Sequence, residues 1–359
     1  MMINSQYFRN MNSLRLLALL PLLCTLIFFS CNSNETGEVI ANKDSIPQND
    51  SLNEQQRLIA DLDKRIVSDP DNPNHYHARA FAYFRLAQYS EAMQDIERCI
   101  RIDSTIAIFH YTKGEILFAE LKVEEALQSY RAALRQNPNY FDAEFRIGRI
   151  HMYIKSWNEA MKHINAGLKL NPNFAEGYFM KGEVYEELRD TAKAASSFQT
   201  AVEQDPNYYE AYIRLGLLYA NAHNKLALDY YNSALSIRPN SVEALYDKAI
   251  FMQDHGMIAD ALSTYDKIIE INPRLELPWF NKGYIHLVET ANYNEALVMF
   301  DKAIEINPRY IDAWHNRGLT YEGLKNYPKA RENFKKALEL DPTYDLSAEA
   351  MDRLDRMKK

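Results

Sequence analysis

The stretch Ile311–Tyr344 reads IDAWHNRGLTYEGLKNYPKARENFKKALELDPTY. Trp314, Gly318 and Tyr321 share one face of a first helix. Ala330, Phe334 and Ala337 share a face of a second. Pro342 stops the second helix and presets the chain beyond it. The unit is therefore a pair of helices with small and large residues at fixed places.

Working backwards, prolines recur at Pro308, Pro273, Pro239, Pro206, Pro172 and Pro138, every 33 to 35 residues. Pro70 lies two periods earlier, and Ser104 stands where a proline is due between them. The columns keep the same register. Ala330 aligns with Ala92, Ala126, Ala160, Ala194, Ala227, Ala261 and Ala296. Gly318 aligns with Ala80, Gly114, Gly148, Gly182, Gly216, Ala249 and Gly283. A mid-helix glycine costs roughly 1 kcal/mol relative to alanine. Its recurrence implies two helices packed too closely for a larger side chain. The Phe334 column is large throughout: Ile96, Tyr130, Ile164, Phe198, Tyr231, Tyr265 and Phe300.

These interlocking columns resemble the tetratricopeptide repeat (TPR), a helix–turn–helix unit of about 34 residues. The resemblance implies an all-α fold, a right-handed superhelix (α-solenoid) of eight repeats over 73–344. Helices at 52–72 and 345–359 are expected to cap its ends, because an end repeat exposes apolar surface. Some repeats depart from the pattern. Glu144 replaces the Trp314 residue and His151 the Tyr321 residue, so repeat three is expected to pack less well. Repeat five lacks one residue between its helices and repeat seven gains one.

The N-terminus carries a different message. Arg9 and Arg15 precede an almost wholly apolar run, Leu16–Phe29. That is short for a membrane span and suits a signal peptide at 1–30. The run ends in Phe28-Phe29-Ser30-Cys31, which resembles a bacterial lipobox. The resemblance implies cleavage before Cys31, acyl chains on that residue and export to a membrane, the outer membrane facing the periplasm being expected. Residues 31–51 are polar, with little apolar periodicity, and are expected to form a disordered tether.

Formal net charge is −8 for the full chain. Without Arg9 and Arg15 it is more negative still, which disfavours nucleic acid as a partner. Three cysteines, Cys24, Cys31 and Cys99, form no disulfide framework and no zinc spacing. There is no phosphate-binding glycine loop and no paired nucleophile and base. No catalytic residue, metal ligand, cofactor or small-molecule substrate is expected, and the chain reads as a non-enzyme.

In TPR proteins the first helix of each repeat faces a concave groove that binds peptides or helices. By register, the groove residues here are Tyr111, Phe145, Arg149, Phe179, Glu183, Glu187, Tyr246, Phe280 and Tyr284. The aromatic members suit apolar anchors, and the carboxylates suit basic residues on a partner. Chaperone-binding TPRs use Lys and Asn in these columns to hold a C-terminal carboxylate, and those residues are not in them. The expected function is a protein-interaction scaffold or adaptor of the bacterial envelope, anchored by lipid. The alternative is a soluble periplasmic adaptor or a self-assembling scaffold without lipid.

Overall fold

A computed structural model describes residues 48–357. The signal peptide, Cys31 and the tether up to Pro47 lie outside the described residues. All regular structure within them is helical, in eighteen helices. They fall into two compact units, one ending at Pro172 and the other beginning at Asn173.

The first unit holds α1 (Gln48–Ser68) and three hairpins: α2 (Pro73–Arg85) with α3 (Tyr89–Ile102), α4 (Ala107–Ala119) with α5 (Val123–Gln136), and α6 (Phe141–Tyr153) with α7 (Trp157–Leu170). The second unit holds five hairpins: α8 (Ala175–Glu187) with α9 (Thr191–Gln204), α10 (Tyr209–Asn221) with α11 (Leu226–Ile237), α12 (Val242–Asp254) with α13 (Ile258–Ile271), α14 (Glu276–Val288) with α15 (Tyr293–Ile306), and α16 (Ile311–Gly323) with α17 (Tyr327–Leu340). The last helix is α18 (Asp345–Arg356). These eight hairpins are the repeats expected over 73–344. Helix α1 begins at Gln48 rather than Leu52, inside the stretch expected to be tether.

The small column explains the hairpin. All eight residues of the Ala330 column are fully buried. A Cβ added to Gly318 would lie 2.5 Å from Cε1 of Phe334, so the large ring occupies the space that glycine leaves. Cys99 is buried and its thiol meets the Pro73 carbonyl at 3.2 Å, as a packing residue does.

The joints between repeats are closed by short-range polar bonds. The Asn or Asp before the proline turns the chain by accepting a backbone N–H two residues on, at Asn137, Asp205, Asn272, Asn307 and Asp341. The Trp314 column then bonds back to the carbonyl six residues earlier: Tyr76 to Pro70, His110 to Ser104, Trp279 to Pro273 and Trp314 to Pro308. Neighbouring repeats are also tied by ion pairs sixteen residues apart, among them Arg79–Asp63, Lys113–Glu97, Lys282–Asp266 and Arg317–Asp301.

The turn inside each hairpin has a feature that the sequence hides. One residue there adopts a left-handed conformation in all eight repeats, and only Gly256 is a glycine. The others are Ala87, Leu121, Lys155, Arg189, His223, Ala291 and Lys325. Each non-glycine carries steric strain of about 1–2 kcal/mol. Leu121, at φ 61° and largely exposed, has little packing to lose. Leu121→Gly should therefore raise stability by up to about 1 kcal/mol, once glycine's extra unfolded entropy is subtracted. Thermal melting checks this, and a lower melting temperature would show that the Leu121 side chain contributes more than its backbone costs.

Candidate peptide-binding face

In the first unit the expected face lies on α4 and α6. Tyr111 is wedged between the rings of Tyr130 and Tyr140, at 5.6 and 5.1 Å between centroids. Its hydroxyl accepts a hydrogen bond from Arg146 Nε at 3.2 Å. Phe145 is buried, with its ring against Gly167, where a Cβ would lie 2.8 Å from it. Arg149 stands one turn further along α6 and is half-buried.

Glu115 occupies the same column as Arg149 but is buried. Arg146 Nη2 donates to its Oε2 at 2.8 Å, Arg146 Nε lies 2.8 Å from Oε1 in the same ion pair, and Tyr130 donates to Oε1 at 2.6 Å. Burial acts against the Arg146 charge, but Glu115 beside it more than compensates, so its pKa lies above the usual arginine value. Burial pushes both tyrosine hydroxyls up, and the Glu115 charge pushes them further. Arg146 is thus committed to Glu115 inside its unit and is not a counter-ion on the open face.

In the second unit the face lies on α8, α12 and α14. Phe179 sits between Phe198 and Tyr208, at 5.3 and 5.1 Å. Phe280 sits between Phe300 and Tyr310, at 5.8 and 4.9 Å. Tyr246 is buried edge-on against Tyr265 and accepts a hydrogen bond from Asn281 at 3.0 Å. The aromatic column is therefore first of all packing: each ring fills the gap between the second helix of its repeat and the start of the next. Phe179, Phe280 and Tyr284 remain partly exposed, whereas Phe145 and Tyr246 offer little surface to a ligand.

Glu183, Glu186 and Glu187 lie on the last turns of α8. Arg214 reaches Glu183 at 3.7 Å and Glu186 at 3.5 Å, and Glu187 is exposed. The Glu186 pKa is raised mainly by burial; Arg214 opposes the rise, and Glu183 and Glu187 add to it. Burial also raises Tyr284, helped by the charges of Glu289 and Asp254. At the end of α8 the Arg214 guanidinium thus lies close to two of three neighbouring carboxylates.

In repeat three, Glu144 cannot make the backward bond of the Trp314 column. It pairs instead with His163 Nδ1 at 2.6 Å, and the His163 ring stacks on that of His151. The departure that predicted poor packing is filled by a polar cluster. No group of three or more His, Cys, Asp or Glu among the described residues is arranged to hold a metal ion. No described helix is long and apolar enough to cross a membrane.

Models of the tetratricopeptide repeat match residues 76–106, 111–173, 145–209, 179–242 and 311–344, and a TPR repeat model matches 287–325. Together they span more than half of the chain. Among curated proteins, the chain is similar to an Hsp70-Hsp90 organizing protein of Triticum aestivum, 31% identical over 28% of this chain and 18% of that protein. It is also similar to RNA polymerase II-associated protein 3 of Homo sapiens, 34% identical over 22% of this chain and 12% of that protein. The chain thus matches less than a fifth of the length of either. Among solved structures, pilF of Pseudomonas aeruginosa superposes with a TM-score of 0.50 and 16% identity, covering 56% of this chain and 92% of that one, a likeness of fold.

Proposed function

The chain belongs to the tetratricopeptide repeat family, and from that premise we propose that it is a non-enzymatic adaptor that holds a peptide or helix of another protein. The reading places it in a bacterial envelope, tethered to the membrane by a lipid on Cys31. The observation that carries the binding reading is the end of α8. There a partly exposed Phe179 stands one turn from Glu183 and two from Glu187, with Arg214 a counter-ion close to Glu183 and Glu186. Tyr284 on α14 adds a second partly exposed ring in the same unit. A partner with apolar anchors and Lys or Arg between them suits this surface. The name of the organizing proteins describes an adaptor, and family resemblance extends that role to this chain in kind, not in partner.

Pull-down from native membranes would supply the partner, and surface plasmon resonance would test the face. Glu183→Lys with Glu187→Lys should slow association several-fold and flatten its dependence on salt. Tyr284→Ala should speed dissociation, because apolar anchors act mainly there. Lys335→Ala, on the exposed side of α17, serves as control. If the control weakens binding and the face variants do not, the binding surface lies elsewhere. The anchor is tested separately: Cys31→Ser should abolish acyl labelling and move the protein out of the membrane fraction. Unchanged labelling would refute lipidation at that residue.

A further inference from the structure

Repeat three differs from its neighbours in the chemistry between its two helices. His151 on α6 takes the place held by tyrosine in four repeats. It is 8% exposed, and neither ring nitrogen has a hydrogen-bond partner. Its ring lies parallel to that of His163 on α7, 3° apart in plane and 5.7 Å between centroids. His286 holds the same column in repeat seven but is half-buried, with Thr290 Oγ1 3.4 Å from its Nδ1. The His151 arrangement is therefore not a consequence of the column.

We propose that the stacked pair makes repeat three an acid-sensitive joint, in which protonation of His151 loosens α6 from α7. A proton added to His151 creates a buried charge with no acceptor, which is costly unless the ring reaches water. The charged groups that act on it are mostly unfavourable. His163 on α7 faces it and is paired with Glu144 of α6. Lys162 on α7 and Arg131 on α5 oppose a further positive charge. Glu159 on α7 favours it, but that carboxylate already accepts from Lys162 at 3.0 Å. Burial first, and the His163 charge next, lower the His151 pKa below the ordinary histidine value. The ring is thus neutral at pH 7, and mild acid favours whatever opening lets it charge. Helix α6 also carries Phe145 and Arg149, so an opened joint would disturb the face of the first unit. That last consequence alone rests on the binding reading above.

Hydrogen exchange of the ligand-free full chain, read by mass spectrometry at pH 7.5 and 5.0 and corrected for intrinsic rates, tests the joint apart from any binding. Amides of α6 and α7 should exchange at least tenfold faster at pH 5.0, while those of α9 stay protected. His151→Tyr, which restores the residue of four other repeats, should abolish the difference, and His163→Gln should reduce it if the tyrosine ring does not fit. No acid effect in the wild type, an equal effect in every repeat, or an effect unchanged in both variants would overturn the proposal.

Discussion

Glu115→Ala should destabilise the first unit by about 3–5 kcal/mol, the typical cost of leaving one member of a buried ion pair unpaired. Arg146 is 8% exposed, and Glu115 is its only carboxylate partner at bonding distance among the described residues. The variant also removes the acceptor of the Tyr130 hydroxyl. Replacing the whole network tests the reason. Glu115→Leu with Arg146→Met and Tyr130→Phe removes charges and donors together, and should recover much of the loss. Apolar groups of similar volume often replace a buried pair at little cost, and phenylalanine already fills the Tyr130 column at Phe198, Phe300 and Phe334. Urea denaturation measures all three proteins. A Glu115→Ala variant within about 1 kcal/mol of wild type would mean that water reaches Arg146 easily.

Acid should undo the C-terminal end of the second unit through His315. The ring is buried between Phe334 and Tyr344, and its Nδ1 lies 2.9 Å from Ser347 Oγ on α18. Burial, followed by the charge of Arg353, lowers its pKa from 6.5 to about 4, with Glu322 opposing. The folded state therefore binds this proton less readily than the unfolded chain. The contribution is intact above pH 6.5 and is lost as pH falls from there toward about 4. A tenfold difference in proton affinity is worth about 1.4 kcal/mol, so the full loss is about 3 kcal/mol. His315→Gln keeps a polar group facing Ser347 but cannot titrate in this range. Between pH 7 and pH 4, wild type should lose about 2–3 kcal/mol more than the variant in urea titrations. Parallel losses in the two proteins would remove His315 as the cause.

The array was legible in the sequence because its information is periodic. Gly318 and Phe334 form one contact, and the chain repeats that contact in register, so eight weak signals add. The proline spacing gives the joints for the same reason. What was not legible occurs once or depends on geometry. Glu115 and Arg146 belong to different repeats and different columns, and only their shared burial makes them a pair. The left-handed residue of each turn is not marked by glycine except at Gly256, so the residue type carries no signal. For the binding face, register places Phe145 and Phe179 in one column, yet one is buried and the other partly exposed. The neighbouring side chains decide that, Gly167 making room for Phe145. Glu144 read as a lost aromatic; His163, which compensates for it, is nineteen residues away.

Helix α18 has the register of a ninth first helix, and its Ser347, Ala350 and Leu354 are buried. Asp352 falls in the Gly318 column and Asp355 in the Tyr321 column, and both are exposed. A further helix packed on α18 as α17 packs on α16 would press a large side chain onto Asp352, as Phe334 is pressed onto Gly318. That carboxylate would have to leave water with no partner supplied by the register. Addition of another helix is therefore opposed at the position where the glycine-bearing repeats seat the large side chain of their second helix. A single Asp352→Gly change would remove the charge and leave a surface shaped like the interior of the array.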